Sequence, residues 1–263
     1  MTGPARRNEA AKTRPGPLPL LLLPGLDGTG EMFAPLLPEL PAWIRPVVVA
    51  YPRDVPLGYA ELAPIAARAI PAGGPFAILG ESFSGPLALQ LAAARPPELV
   101  GVILCATFVR RPIRGVPPAA RVLVTAGGAR LWPLLLRLRS PFVPREYRWL
   151  VASALAAVRS VAPAVVAARI RALLAVNAEE DLRRCEVPLL YLQAAADHLI
   201  RAHNLDRIRR IRPDVQVARI DTMHFLLQLE PRQAAAAIAG FLAPLVPRGD
   251  LTARRGEGAS AAG

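Results

Sequence analysis

Residues 76–85, Phe-Ala-Ile-Leu-Gly-Glu-Ser-Phe-Ser-Gly, decide the fold of this chain. An apolar run leads into a short turn with a serine, and a helix-forming run rich in alanine and leucine begins directly after it. A strand, a tight serine turn and a helix in this order form a nucleophile elbow, which projects the serine hydroxyl from a strained backbone. Strand and helix nearly touch at such a turn, so the residues two before and two after the serine must be small. We therefore expect Ser82 to be a nucleophile, flanked by Gly80 and Ser84.

Ser84 is the alternative nucleophile in the same turn. Its own flanking residues would be Ser82 and Pro86, and a proline ring fits poorly at so crowded a position. Ser82 is the better candidate, although Ser84 stands where a glycine is usual.

Short apolar runs elsewhere in the chain are suited to buried parallel strands. They lie at residues 18–23, 47–50, 76–79, 100–105, 187–193 and 215–220. Helix-forming segments alternate with them at residues 31–37, 59–70, 84–94, 201–211 and 231–242. This alternation predicts an α/β fold, with a mostly parallel sheet of about six strands and helices on both faces.

The alternation breaks in the middle of the chain. Helix-forming segments at residues 117–126, 129–139, 144–158 and 163–176 follow one another there without a convincing strand. We expect residues 110–185 to form a helical cap over one end of a core made of residues 17–109 and 186–247. Residues 1–16 and 248–263 lack apolar periodicity and are expected to be disordered tails.

A serine nucleophile needs a base and an acid that orients the base. In a parallel sheet these groups belong on loops at the carboxyl ends of strands. His224 follows the last predicted strand and Asp197 follows the strand before it, which gives the expected chain order of serine, acid and histidine. The alternatives are a surface-loop histidine and an aspartate that caps a helix. Asp221 is the rival acid, although its position three residues before His224 suits it better to capping the turn.

The loop after the first strand, residues 23–30, reads Leu-Pro-Gly-Leu-Asp-Gly-Thr-Gly. Its glycines let the backbone approach closely, and we expect the backbone N–H groups of Leu26 and Phe83 to form an oxyanion hole. The glycine spacing matches no phosphate-binding loop and no lysine follows, so the remaining alternative is an ordinary glycine-rich turn. No cysteine, histidine and aspartate cluster has metal-ligand spacing, and neither a metal nor another cofactor is expected.

The composition, 53% hydrophobic, allows a large core. The two cysteines, Cys105 and Cys185, offer no disulfide framework. Apolar runs fall short of the roughly 20 residues of a membrane span, and Pro19 and Pro24 break the run that would mimic a signal peptide. A cytoplasmic protein is expected.

Net charge is +12, and residues 110–184 contribute a net +10 of it. A solvated basic face in an arginine-rich chain explains this charge. The alternative is that the cap attracts an anionic carrier or a lipid surface. The arginines available for it are Arg130, Arg137, Arg139, Arg145 and Arg148. Nucleic-acid binding is not expected, because the charge accompanies no recognisable binding motif or aromatic platform.

At these residues the chain resembles the α/β-hydrolase superfamily, in particular its small capped serine esterases. The resemblance covers about residues 18–245 and rests on the glycine loop, the Ser82 turn, Asp197, and His224 with the Glu-Pro pair at 230–231. The glycine loop is also similar to that of phytyl-ester-synthase-like acyltransferases, and the cap and size are similar to carrier-methyl-ester esterases. The chain departs from the usual pattern at Pro24, where a histidine is frequent, and at Ala194, where a glycine often precedes the acid.

The resemblance implies a hydrolase that cleaves a carboxylic ester or thioester through an acyl-serine intermediate. Its substrate is expected to carry an apolar acyl group, held by cap side chains that include residues 131–136. Acyl transfer by the same triad, and ligand binding by a non-catalytic protein of the same fold, are the alternatives.

Overall fold

The strands of the sheet all run parallel to their neighbours. The structure, a computed structural model, describes residues 16–112 and 145–246. Within them the strands are β1 (Leu18–Leu23), β2 (Ile44–Val48), β3 (Phe76–Glu81), β4 (Leu99–Cys105), β5 (Leu189–Ala194) and β6 (Gln216–Ile220). Their spatial order is β2-β1-β3-β4-β5-β6, which confirms the predicted six-stranded parallel sheet.

Helices follow or separate the strands. They are α1 (Tyr59–Ala67), α2 (Gly85–Ala93), α3 (Arg148–Arg159), α4 (Pro163–Ala175), α5 (Glu179–Arg184), α6 (His203–Ile211), α7 (Leu226–Leu229) and α8 (Pro231–Leu242). The single helix predicted at residues 31–37 is replaced by two short 3-10 turns, Glu31–Phe33 and Leu37–Glu39. Pro35 and Pro38 lie in this stretch and interrupt helical hydrogen bonding.

The core has two parts, one on each face of the sheet, because successive side chains of a strand point to opposite faces. Leu21 and Leu23 of β1 belong to the part covered by α1, α2, α5 and α6. Leu20 and Leu22 belong to the part covered by α7 and α8. The helices therefore lie on both faces, as predicted.

Strand β2 begins three residues before the predicted start, at Ile44, and includes Pro46. It is an edge strand, where a proline without an N–H is tolerated because one side of the strand makes no sheet hydrogen bonds.

Helices α3, α4 and α5 lie between β4 and β5 in the chain. Side chains of α4, with Val161, form a small third apolar cluster, and Leu26 of the loop after β1 packs against it. Leu182 of α5 instead joins the core beside the sheet. The predicted helices at 117–126 and 129–139, and the predicted tails except Gly16, lie outside the described residues, and the division into core and cap stays a prediction.

No single helix in residues 16–112 or 145–246 is long and apolar enough to cross a membrane. Helices α3 and α4 are long and apolar enough only when they are taken together, and the chain bends by 104° at the break between them.

Candidate active site

The serine turn connects β3 to α2 as a 3-10 turn over Ser82–Ser84. Ser82 has a φ of +47°, a left-handed conformation that is unusual for a residue with a side chain and typical of strained functional turns. A Cβ on Gly80 would lie 2.6 Å from the Ser84 carbonyl oxygen and 2.9 Å from the Ala88 Cβ. Glycine is thus required two residues before Ser82 by the close approach of strand and helix.

The structure brings Ser82, His224 and Asp197 together. The Ser82 Oγ lies 3.0 Å from His224 Nε2, and His224 Nδ1 lies 2.8 Å from Asp197 Oδ2. The histidine and aspartate side chains are only 11% and 4% exposed. Because a carboxylate only accepts hydrogen bonds, Nδ1 carries the imidazole proton and Nε2 is left to accept the proton of the serine hydroxyl.

Sheet topology explains how the acid and the histidine meet. Strands β5 and β6 are neighbours and end together, with Ala194 opposite Ile220. The pairing continues into the loops, where the Ala196 N–H donates to the Thr222 carbonyl at 2.9 Å. The loops that carry Asp197 and His224 are therefore held side by side.

Asp197 uses its two carboxylate oxygens differently. Oδ1 accepts the backbone N–H groups of Leu199 at 2.8 Å and Ile200 at 2.7 Å, while Oδ2 faces His224. The capping role considered from the sequence and the orienting role thus coexist in one residue. The rival acid, Asp221, is exposed.

Ser84 does not face the histidine. It is fully buried, its Oγ donates to the Pro24 carbonyl, and the Tyr51 hydroxyl donates to the same Oγ at 2.7 Å. Burial raises the pKa of Tyr51 well above its usual value, which keeps this hydroxyl protonated. Ser84 therefore ties the serine turn to the loop after β1. Its departure from the usual glycine was the one sequence signal of this role.

The loop after β1 lies beside the serine turn because β1 and β3 are paired, with Leu23 opposite Gly80. The Gly28 N–H donates to the Gly25 carbonyl at 3.0 Å and closes a turn around Leu26. On the other side, the Tyr59 hydroxyl donates to the Phe83 carbonyl at 2.8 Å. Both predicted oxyanion donors thus belong to restrained backbone, and their catalytic role stays a prediction.

Thr107, just after β4, restrains the serine turn through a hydrogen bond. Its hydroxyl donates to the Ser82 carbonyl, and its own carbonyl accepts the Tyr191 hydroxyl at 2.8 Å. Nothing in the local sequence marks these two residues.

Glu81 is a buried carboxyl directly before Ser82. Its Oε1 accepts Gln228 Nε2 at 2.9 Å, and the Gly25 N–H also bonds the carboxylate. Burial raises the pKa of Glu81 to about 7, against the opposing effect of the Gln228 and Gly25 hydrogen bonds. Gln228 Nε2 also donates to the Met32 carbonyl at 3.1 Å, so Glu81 and Gln228 together connect the end of β3 with helix α7 and with the turn Glu31–Phe33.

No set of three or more histidine, cysteine, aspartate or glutamate side chains is arranged to hold a metal ion in the part of the chain that the structure describes. What the site offers is a serine hydroxyl, an imidazole and a carboxylate in line, which is an arrangement for nucleophilic catalysis.

Comparison with known families gives one match over most of the chain. The model of the Alpha/beta hydrolase family matches residues 20–238. No curated protein matches the chain by sequence.

Solved structures share the fold at low sequence identity. A thermophilic esterase from Thermogutta terrifontis superposes with a TM-score of 0.73 at 21% identity, covering 88% of this chain and 91% of its own. The enol-lactonase from Burkholderia xenovorans LB400 gives 0.71 at 17% identity, with 88% and 94% covered. The bromoperoxidase from Bacillus anthracis gives 0.70 at 14% identity, with 86% and 92% covered. These structures carry different activities in their names, so the likeness shows the fold alone.

Proposed function

This chain belongs to the alpha/beta hydrolase family, and we propose that it is a serine hydrolase that cleaves a carboxylic ester or thioester through an acyl-serine intermediate. The observation that carries the proposal is the line of hydrogen bonds from Ser82 through His224 to Asp197, at 3.0 and 2.8 Å. These residues occur in the chain order that this fold uses for its triad.

In the first half of the reaction, Ser82 Oγ attacks the carbonyl carbon of the substrate while His224 Nε2 takes the hydroxyl proton. Asp197 Oδ2 accepts the Nδ1–H and stabilises the imidazolium that forms. The negative charge that develops on the carbonyl oxygen is held by the N–H groups of Leu26 and Phe83. The tetrahedral intermediate collapses when His224 returns its proton to the leaving alcohol or thiol, which leaves an acylated Ser82.

In the second half, water replaces the alcohol in the site. His224 Nε2 takes a proton from the water as its oxygen attacks the acyl carbon, and then gives that proton to Ser82 Oγ as the ester bond to the serine breaks. The carboxylic acid leaves and the free serine is restored. An alcohol in place of water would give a new ester, so acyl transfer differs from hydrolysis only in the acceptor.

The acyl group of the substrate is expected to be apolar, and residues 110–185 are proposed to cover it as a cap. Helix α4 carries an apolar face of buried valine, alanine and isoleucine that packs with Leu26 next to the predicted oxyanion donor. An apolar cluster beside this loop supports an acyl chain rather than a charged group as the part of the substrate that lies there.

Fluorophosphonate labelling tests the nucleophile directly. We expect one adduct, located on Ser82 by mass spectrometry of the intact protein and its peptides. Ser82→Ala should abolish labelling and lower kcat/KM on p-nitrophenyl esters by about 10⁴-fold or more. Ser84→Ala is the matched control in the same turn and should retain the Ser82 adduct.

A folded wild-type protein that gives no Ser82 adduct and turns over none of a series of esters, thioesters and lactones would contradict the proposal and favour ligand binding without catalysis. Adding an alcohol acceptor to the same assay distinguishes hydrolysis from acyl transfer, because an acyltransferase forms the new ester at the expense of the free acid.

A further inference from the structure

A buried arginine joins helix α4 to the turn that follows β1. Arg169 is 1% exposed, and its Nη1 donates to the Leu26 carbonyl at 3.1 Å and to the Asp27 carbonyl at 2.5 Å. Its Nη2 donates to the Pro52 carbonyl at 2.9 Å. Arg169 thus donates hydrogen bonds to two consecutive carbonyls of the loop that carries the predicted oxyanion donor.

Holding helix α4 against the protein does not by itself require a charged side chain at position 169. Burying a guanidinium is costly unless its donors are satisfied, and burial lowers the pKa of Arg169, opposed by the nearby Asp27 carboxylate. Apolar side chains of α4, such as Val166 and Ile170, already pack the helix onto the protein. What the guanidinium adds is a fixed direction for the carbonyls that it contacts, since its donors form a rigid planar fork.

The direction of these carbonyls determines the direction of the Leu26 N–H. A carbonyl and the N–H of the following residue share one planar peptide group, so holding the Asp27 carbonyl also holds the Gly28 N–H. That N–H donates to the Gly25 carbonyl at 3.0 Å. The Gly25 carbonyl in turn shares a peptide group with the Leu26 N–H. Two rigid planes and one hydrogen bond therefore connect Arg169 to the donor.

The turn is shaped to admit the guanidinium. Gly28 has a φ of +68°, and a Cβ there would lie 2.4 Å from Arg169 Nη1, so no larger residue fits. The guanidinium carbon also lies 5.5 Å from the centre of the Tyr51 ring, whose hydroxyl bonds Ser84 in the serine turn. Arg169 thus contacts the loop of Leu26 directly and is linked to the serine turn through Tyr51.

We propose that Arg169 is a positioning residue for the oxyanion hole, through which the helical segment between β4 and β5 holds the Leu26 N–H in its catalytic direction. The inference rests on the proposed function. It makes helix α4 part of the catalytic apparatus, so that a displacement of this helix lowers the rate of the chemical step.

Replacing the side chain and adding it back in solution tests the proposal. Arg169→Ala should lower kcat on a p-nitrophenyl ester by about 10²-fold with KM changed less than about threefold, because the donor is misplaced only where charge develops. Guanidinium ion at low, non-denaturing concentration should restore kcat by about tenfold or more, and sodium chloride at equal ionic strength should not. Affinity for a boronic acid, whose serine adduct is an oxyanion, should fall in parallel with kcat.

Leu173→Ala is the matched control, since Leu173 packs α4 against the large core beside the sheet and lies outside the apolar cluster proposed for the acyl group. It should lower the free energy of unfolding and leave kcat within about twofold of the wild type. Arg169→Lys is the second variant if Arg169→Ala does not fold, and it too should lose kcat, because one ammonium cannot replace the planar fork.

Three results would overturn the inference: a folded arginine variant with wild-type kcat, an equal loss of kcat in Leu173→Ala, or a loss that guanidinium does not repair. In each case the wild type still labels at Ser82. A wild type that neither labels nor turns over would instead remove the proposed function.

Discussion

Glu81, a buried residue beside Ser82, makes the stability of the folded protein depend on pH. Its carboxyl has a pKa raised by burial from 4.5 to about 7. Between these two values the folded protein binds a proton that the unfolded chain does not. Stability is therefore lost as pH rises through this window, up to about 3 kcal/mol once Glu81 is ionised.

Glu81→Gln removes this titration. The free energy of unfolding of the variant minus that of the wild type should rise between pH 5 and pH 8, by up to about 3 kcal/mol, because only the wild type buries a charge at the upper pH. Urea unfolding of both proteins across this range measures it, and the difference cancels all other titrating groups. Parallel pH curves for the two proteins would contradict the argument.

At the scale of elements, the contact between β3 and α2 is tighter than an alanine allows. Gly80→Ala places a methyl group 2.6 Å from the Ser84 carbonyl oxygen, so the helix must move away from the strand. We expect a loss of about 1–3 kcal/mol in the free energy of unfolding and a large loss of esterase activity, because Ser82 moves with the turn. Thermal unfolding and ester turnover measure the two effects.

Gly240→Ala is the matched control for this substitution. Gly240 lies inside α8, and a Cβ there meets nothing within 4 Å. Alanine should stabilise the helix by about 0.5–1 kcal/mol and leave activity unchanged. Equal effects of the two substitutions would mean that the close approach at Gly80 has no consequence.

Elements and site differ in how far the sequence predicts them. Buried parallel strands are continuous apolar runs, so β1 and β3 to β6 were found at their places to within two residues. The Ser82 turn, His224 and Asp197 were identified as candidates because a local pattern and a chain order mark them. Tyr51, Thr107 and Arg169 were missed, since each acts through partners far along the chain, 143 residues in the case of Arg169 and Leu26.

For the whole molecule, the net charge of +12 bears on which substrates arrive. Arg145 and Arg148 are exposed, whereas Arg130, Arg137 and Arg139 lie outside the described residues. A solvated basic face accounts for this charge, and the alternative that we propose is attraction of an anionic carrier or lipid surface that presents the ester. Electrostatic attraction between the exposed arginines and an approaching anionic partner weakens as the screening length falls from about 30 Å at 0.01 M salt to about 8 Å at 0.15 M.

The rate on an ester of an acidic carrier should therefore fall about tenfold or more as salt rises over this range, while the rate on a neutral p-nitrophenyl ester stays the same. Stopped-flow or steady-state kcat/KM for both substrates measures the effect. Arg145→Glu with Arg148→Glu should reduce the salt dependence for the carrier ester alone. Rates on the carrier that do not change with salt would favour a solvated basic face without a partner.

Ser82 and His224 are 142 residues apart in the chain, and this separation has a consequence during synthesis on the ribosome. A ribosome adds about 5–20 residues each second, so the serine turn is synthesised roughly 7–28 s before the histidine that is proposed to activate it. During that interval the nascent polypeptide has no base for its proposed nucleophile. The proposed esterase activity is therefore expected to appear only after residue 224 has left the exit tunnel, and the time of its onset in a translation reaction measures this delay.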